Sequence, residues 1–335
     1  MTTKKVRLQD IANKLNISQN TVSLAMRGMP GIKESTRELV QKTARELGYC
    51  RNGNADPTTI FLVTTLDNST DSYFYTFLLQ QLEEELNFCG FKLITSHCSK
   101  GAHMDSVQII NILNQMKPKG IFILGEIEEN ICHELLKTGL PTVCVGFYCP
   151  NLQLDSVVED NISGIRTMMK YLHKKGYRSF GFVGNTAADS SFWERWVTYA
   201  GVLVEYGLEY NREANFISQP KDKLCDSDFL TEKLKSISSL PEVFICGNDK
   251  IAAAIIKALN TLGYQVPQEI GVVGFDNSEI AKNTIPSLTT VDSFRNQQAK
   301  MAVNLMMMKI NKSNVATHRV VIPVELIEGK STTPS

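Results

Sequence analysis

The eight cysteines include no Cys-x-x-Cys pair; they are scattered at positions 50, 89, 98, 132, 144, 149, 225 and 246. That spacing argues against a disulfide framework or a metal site, and for buried, reduced thiols in a cytoplasmic protein. The five histidines, His97, His103, His133, His173 and His318, show no metal-ligand spacing either. No apolar run approaches the length of a membrane span. The opening residues MTTKKVRLQD contain no hydrophobic stretch of a secretory signal. Two glycine patterns fall short of nucleotide-binding motifs. Gly329-Lys330-Ser331 resembles the end of a phosphate-binding loop, but the glycine required five residues earlier is Val324. The segment GVVGFDN at 271–277 lacks the third glycine of a dinucleotide fingerprint. An enzyme, a cofactor and a metal are therefore not expected.

Net charge is absent too: 35 Lys and Arg offset 35 Asp and Glu. The balance conceals an asymmetry. Residues 1–54 carry ten basic and four acidic side chains, which leaves 25 basic and 31 acidic for the remainder. A basic head on an acidic body implies that the head meets a polyanion and the body does not. What the chain has in quantity is apolar residues, 43 % of 335, enough for two or three domains with cores of their own.

In the head, Leu8, Ile11, Ala12 and Leu15 recur at i, i+3, i+4 and i+7, one face of a helix over 8–15. Asn16-Ile17-Ser18 interrupts it. Ser18 is a suitable N-cap for a second helix over 19–26, which turns Val22, Ala25 and Met26 inward. A third helix over 34–47 is expected to bury Leu39, Val40, Thr43 and Leu47 and to end at Gly48. Two helices joined by a tight turn and covered by a third make a helix-turn-helix, whose second helix fits a DNA major groove. Candidate DNA contacts are Gln19, Asn20, Thr21, Ser23, Leu24 and Arg27. Gln19 and Asn20 carry the amide that pairs bidentately with adenine, and Leu24 offers apolar contact, as to a thymine methyl. Thr21, Ser23 and Arg27 suit phosphates, which position the head without reading sequence.

Beyond Pro57 the pattern changes. Short apolar runs at 60–63, 91–95, 120–124, 141–147, 179–184, 242–247 and 270–275 suit buried parallel strands. Amphipathic stretches lie between them. Phe74, Phe77, Leu78, Leu82 and Leu86 share one helical face, as do Val107, Ile110 and Leu113, then Ile162, Ile165, Met169 and Leu172, then Ile251, Ile255 and Leu259. Alternating strand and helix over so long a stretch predicts an α/β effector domain of two doubly wound lobes behind an N-terminal all-α helix-turn-helix domain. The expected boundaries are 1–50 for the head, 51–59 for a short linker and 60–335 for the two-lobed body. Ligands of such folds sit beyond the C-terminal ends of the strands. Those ends carry Tyr73 and Phe74, Asn185, Ser190, Ser191 and Arg195, Asn248 and Asp249, and Asp276 and Asn277. Aromatic faces with amides, carboxylates and an arginine describe a site for a polyol or another small polar ligand.

Asp10-Ile11-Ala12, Ile17-Ser18, Thr21-Val22-Ser23, Thr36-Arg37 and Leu47-Gly48-Tyr49 together resemble the N-terminal signature of the LacI–GalR family of transcriptional regulators. The likeness continues through Val158-Glu159-Asp160-Asn161 with Gly164, HKKGYRSFGFVG at 173–184, Arg195 with Tyr199, FICGNDKIA at 244–252, VPQEIGVVGFDN at 266–277 and PSLTTV at 286–291. It implies a body like the periplasmic sugar-binding proteins. It also implies an effector cleft lined by Arg195, Asn248, Asp249 and Asp276, with Phe74 stacked on the ligand. The chain departs from the family at several points. Arg7 and Lys33 replace the usual N-caps, Leu24 stands where a base-reading arginine occurs, Gly146-Phe147 replaces Asp-Arg, and Thr198 replaces a glycine. The linker, CRNGNADPTTI at 50–60, is about six residues short, more than one helical turn. It carries no leucine, so neither a hinge helix nor an intercalating side chain is expected. The expected partners are pseudo-palindromic operator DNA, a small carbohydrate-like effector and a second copy of the chain, and no membrane. A soluble small-molecule receptor whose basic head has another role is the alternative.

Overall fold

Three helices, α1 (Leu8–Leu15), α2 (Gln19–Met26) and α3 (Glu34–Leu47), form the head. A computed structural model describes residues 6–26, 31–47, 49, 58–64, 72–97, 105–125, 127–187, 190–311 and 316–332. The expected turn is built as its residues dictate. Asn16 adopts a left-handed conformation (φ 52°) that ends α1, and the Ile17 N–H reaches back to the Ala12 carbonyl at 3.1 Å. Ile11, Ala12, Val22, Ala25, Val40 and Ala44 make the small core, with Tyr49 and Phe88 packed against it. Leu39 is not part of it: its residue is 52 % exposed. Val40 and Thr43 are buried as expected, Leu47 packs against the core, and Ala44 takes the place expected of Leu39, because the apolar side chains of α1 and α2 meet that face. Arg7 gives α1 no side-chain cap; instead the Asp10 carboxylate accepts the Arg7 N–H at 2.7 Å.

The body opens with β1 (Thr58–Thr64), α4 (Ser72–Phe88), β2 (Phe91–His97), α5 (Asp105–Met116), β3 (Ile121–Leu124), α6 (Glu129–Lys137), β4 (Thr142–Val145) and β5 (Asp155–Glu159). The chain then builds a second lobe from α7 (Asn161–Lys174), β6 (Phe180–Val183), α8 (Ser190–Glu205), β7 (Asn215–Phe216), α9 (Lys221–Leu224), α10 (Ser227–Lys235), β8 (Val243–Cys246), α11 (Asp249–Thr261), β9 (Gly271–Val273), α12 (Glu279–Asn283) and β10 (Thr290–Asp292). It returns to the first lobe through α13 (Arg295–Asn311) and β11 (Arg319–Ile322), and β12 (Glu325–Ile327) ends in the second, paired with β10. The first sheet is parallel, in the order β11-β5-β4-β3-β1-β2, and the second is parallel, in the order β7-β6-β8-β9. Helices α4 and α13 cover one face of the first sheet, and α5 and α6 the other. In the second lobe α10 and α11 lie on one face, and α7 and α8 on the other. Each sheet is thus doubly wound, and three chain crossings join the lobes.

All seven expected strands are present. The short strands β5, β7, β10, β11 and β12 were not anticipated. Val107 and Ile162 are exposed, and Phe77 is only half-buried with the Arg295 guanidinium 4.9 Å from its ring. Gly164 has a physical reason. A Cβ there would lie 2.9 Å from the Phe275 ring, so a glycine lets α7 close on the end of β9.

Candidate functional site

The head presents α2. Ser18 caps it: its Oγ accepts the Thr21 N–H at 3.0 Å and lies 2.8 Å from the Thr21 hydroxyl. With Val22 and Ala25 buried, helical geometry turns Gln19 and Asn20 fully outward and leaves Thr21, Ser23 and Leu24 partly exposed. The Thr21 hydroxyl therefore already has a partner within the cap. Among the described residues the Gln19 and Asn20 side chains have none. Arg27 lies outside the described residues, as does the linker over 51–57.

In the body, Arg195 sits where the two lobes meet, 3 % exposed. Its Nε donates to Asn161 Oδ1 at 2.7 Å, one terminal nitrogen donates to the Gly247 carbonyl, and the other donates to Glu159 Oε1 at 2.8 Å. The guanidinium lies 3.6 Å from the centroid of the Phe275 ring, in cation–π contact. Glu159 ends β5 in the first lobe, and Asn161 begins α7 in the second. Arg195 thus ties the hinge between lobes to the ends of β8 and β9. Asp276 lies 3.8 Å from Arg195 and is 8 % exposed. Burial pushes its carboxyl well above the usual carboxylate range, against the opposing pull of Arg195. Glu159 Oε2 is buried without a hydrogen-bond partner among the described residues.

Asp276 has a positive φ of 109°, a conformation that ordinary side chains rarely adopt. The surroundings hold it there. Its N–H donates to the Val291 carbonyl at 2.8 Å, and the Asn277 amide donates to Asp292 at 2.8 Å. Strain over-determined in this way collects at ligand sites. Asn248 and Asp249 are engaged differently. Asn248 caps α11, accepting the Ile251 N–H at 3.0 Å. Asp249 accepts the Ser278 N–H at 2.7 Å, the Ser278 hydroxyl at 2.9 Å and the Thr290 hydroxyl at 2.6 Å. Burial raises the Asp249 carboxyl to about 6 despite those donors. Asp249 also requires Gly274, because a Cβ there would meet its Oδ1 at 2.3 Å.

Tyr73 and Phe74 fall in the first turn of α4, and their side chains lie outside the described residues. The structure therefore brings Arg195 and Asp276 together, with Asn248 and Asp249 on the adjoining strand end. Sequence reasoning missed Glu159 and Phe275 as partners of Arg195. The only available signal was Glu159 in the segment VEDN.

A cavity of about 360 Å³ opens between the lobes at the first turns of α8, and none of Arg195, Asn248, Asp249 and Asp276 lines it. Glu129, Phe147, Tyr148 and Cys149 line it from the first lobe, and Ser190 and Trp193 from the second. Phe147, of the Gly146-Phe147 pair that departs from the family's Asp-Arg, lies on this wall. The Tyr148 N–H donates to Ser190 Oγ at 3.3 Å and the Ser191 hydroxyl to the Gly146 carbonyl at 3.4 Å, so α8 pins the lobes together here. The Arg319 guanidinium stacks 3.6 Å from the centroid of the Tyr148 ring and pairs with Glu194.

A polar helix offered by a three-helix head, on a two-lobed α/β body, defines a DNA-binding transcriptional regulator. Residues 7–52 match the bacterial regulatory proteins of the lacI family, and residues 169–332 match the periplasmic binding protein-like domain. The NTD biosynthesis operon regulator NtdR of Bacillus subtilis (strain 168) is 25 % identical over 333 residues, 97 % of this chain and 99 % of that one. Catabolite control protein A of Priestia megaterium is 26 % identical over 323 residues, 95 % and 96 % of the two chains. The transcriptional regulator CelR–cellobiose complex superposes with a TM-score of 0.71 at 22 % identity, over 98 % of this chain and 100 % of that one. The lac repressor dimer bound to operator and the anti-inducer ONPF superposes with a TM-score of 0.71 at 18 % identity, over 99 % and 100 %. The chain belongs to the LacI–GalR family of transcriptional regulators.

Proposed function

We propose that the chain acts as a cytoplasmic homodimer that represses transcription from a pseudo-palindromic operator, and that a small effector of the sugar class, held between the lobes, controls that binding. It catalyses no reaction. Gln19 and Asn20 read bases, Leu24 adds apolar contact, and Thr21, Ser23 and Arg27 hold phosphates. Arg195, Asp276 and Asn248 contact the effector, Tyr73 and Phe74 flank it, and Asp249 holds the Asp276 turn in place. The observation that carries the effector reading is the pair of open acceptors beside Arg195: the Asp276 carboxylate and Glu159 Oε2. Both ask for donors, which hydroxyl groups supply. Arg195 is already paired with Glu159, so the site favours neutral or aminated sugars over sugar acids and phosphates. An effector shifts operator binding only through a difference in affinity for two arrangements of the lobes, and Arg195 touches both.

The test has two arms on the full-length protein. Footprinting on upstream DNA and on selected oligonucleotides should yield a site bound on the order of a thousandfold tighter than random DNA. Equal binding to random DNA would leave the soluble-receptor alternative. A thermal-shift screen of sugars, amino sugars, sugar acids and sugar phosphates should pick out a neutral or aminated member. At about a hundredfold excess over Kd it should stabilise by roughly 2.7 kcal/mol. A response confined to sugar acids or phosphates would overturn the donor argument.

A further inference from the structure

Three thiols converge on the wall of the interlobe cavity. Cys132 comes from α6, Cys144 from β4, and Cys149 from the irregular segment that follows β4. Cys132 and Cys144 are fully buried, whereas Cys149 is half-buried and lines the cavity. The Sγ atoms of Cys132 and Cys149 lie 3.5 Å apart. We infer that Cys149 and Cys132 are a peroxide-oxidisable pair, which closes to a disulfide beside the cavity and opens again on reduction.

Geometry separates this pair from a metal site. Among the described residues no group of three or more His, Cys, Asp or Glu side chains is placed to hold a metal ion. Closing the bridge brings the sulfurs from 3.5 Å to about 2.05 Å, a movement of roughly 1.5 Å. Cys149 lies in a segment without regular backbone pairing, which can supply that movement. The charge states divide the roles. Hydrogen bonding with Cys132 and Cys144 holds the Cys149 thiol well below the ordinary thiol value, while the hydrogen bond with Cys149, and then burial, push Cys132 up. Cys149 is thus the thiolate, and the thiolate is the nucleophile.

The chemistry balances with hydrogen peroxide as oxidant. The Cys149 thiolate attacks one peroxide oxygen; an S–O bond forms, the O–O bond breaks, and the departing hydroxide takes a proton from solvent to leave as water. Cys132 sulfur then attacks the sulfenic acid of Cys149. The S–S bond forms, the S–O bond breaks, and the hydroxide leaves as a second water with the Cys132 proton. Two thiols lose two electrons, and one hydrogen peroxide gains them. The bridge draws the 147–150 wall toward α6. Tyr148 on that wall touches both Ser190 and Arg319, so the movement reaches the contact between lobes. The link to operator binding rests on the regulator reading above; the thiol chemistry does not.

The experiment treats the full-length protein with one equivalent of hydrogen peroxide in the presence of a chelator, followed by peptide mapping. Two of the eight thiols should disappear, in a Cys132–Cys149 cross-linked peptide that dithiothreitol resolves. The Cys132→Ser protein should accumulate a Cys149 sulfenic acid captured by dimedone. The Cys149→Ser protein should keep its Cys132 thiol under the same dose. Trp193 lines the same cavity, so its emission should shift on oxidation of the wild type and not of Cys149→Ser. Oxidation of any other cysteine before Cys149, or a cross-link from Cys149 to Cys144, would overturn the inference. Because the map needs neither DNA nor effector, its failure is distinct from failure of the proposed function.

Discussion

Asp249 and Asp276 stand at the ends of adjacent strands in the same lobe, both buried, and they differ in what they are given. Asp249 receives three donors from Ser278 and Thr290. Asp276 receives no side-chain or backbone donor among the described residues and has only Arg195, 3.8 Å away. A buried carboxylate with its acceptors filled holds a fold together; one with its acceptors open is a cost that structure alone does not explain. On the proposed reading, the difference separates the residue that shapes the cleft from the one that faces its ligand. Residue type and position along the strand end do not make that separation.

The largest effect that sharpens the contrast is on stability. Asp249→Ala should cost on the order of 3 kcal/mol or more, because three donors lose their acceptor in a dry site. Urea unfolding of the full-length protein measures it. A loss below about 1 kcal/mol would mean that water enters and that Asp249 is not the structural member of the pair.

The next effect is on pH dependence. Folded Asp249 titrates near 6, above the ordinary 3.8, so the folded state keeps this proton while the unfolded chain releases it. Its contribution to stability is full below about 3.8, falls as pH rises through the window to about 6, and is flat above. The difference in unfolding free energy between the wild type and Asp249→Asn should therefore change across pH 4 to 6 in that direction. A difference curve that is level there, or that slopes the other way, would contradict the assignment to burial.

How much of this was readable in the chain differs from residue to residue. Helix α1, the Asn16 break and the Ser18 cap follow from neighbours within four positions, and the structure has them where those neighbours put them. Leu39 did not follow. Apolar periodicity fixes a face only to within about one residue, and packing against α1 and α2 kept Val40 and took Ala44 rather than Leu39. Strands of two or three residues, such as β7 and β10, are too short to show a period. In the site, Arg195 and Asp276 were visible as polar groups at strand ends. Their meaning depends on Glu159, which reaches Arg195 from the other lobe, and no local pattern encodes that contact. Asn248 and Asp249 show the converse limit: a motif names the residue and not whether its acceptors are already taken.

The same contrast exists in the head, with a smaller effect. Thr21 bonds within its cap and Asn20 does not. Asn20→Ala and Gln19→Ala should leave stability within about 0.5 kcal/mol, as surface changes do. Each should cost roughly 1–3 kcal/mol of operator affinity and relax preference at one base pair. Thr21→Ala should instead lower head stability slightly and weaken all DNA sequences alike. Gel shifts against operator and random DNA separate these patterns. If Asn20→Ala lost the same factor on both, it would be a phosphate contact and not a base reader.

Within the body the smaller change in stability belongs to Asp276→Asn, and it is the sharpest test of the pair. No donor among the described residues hydrogen-bonds this carboxyl, so an amide of the same shape breaks no hydrogen bond of the fold. It does weaken the pull on Arg195, but Arg195 retains Glu159, Asn161 and the Gly247 carbonyl. Stability should stay within about 1 kcal/mol of wild type, and operator affinity without effector within a few fold. What should disappear is the response. The amide places a donor where the ligand's own donors point, so the sugar that stabilises the wild type should no longer raise the melting temperature or alter operator binding. Two outcomes would break the contrast. A large loss of stability would make Asp276 structural, like Asp249. An unchanged response would move the effector away from Arg195 and toward the cavity beyond α8.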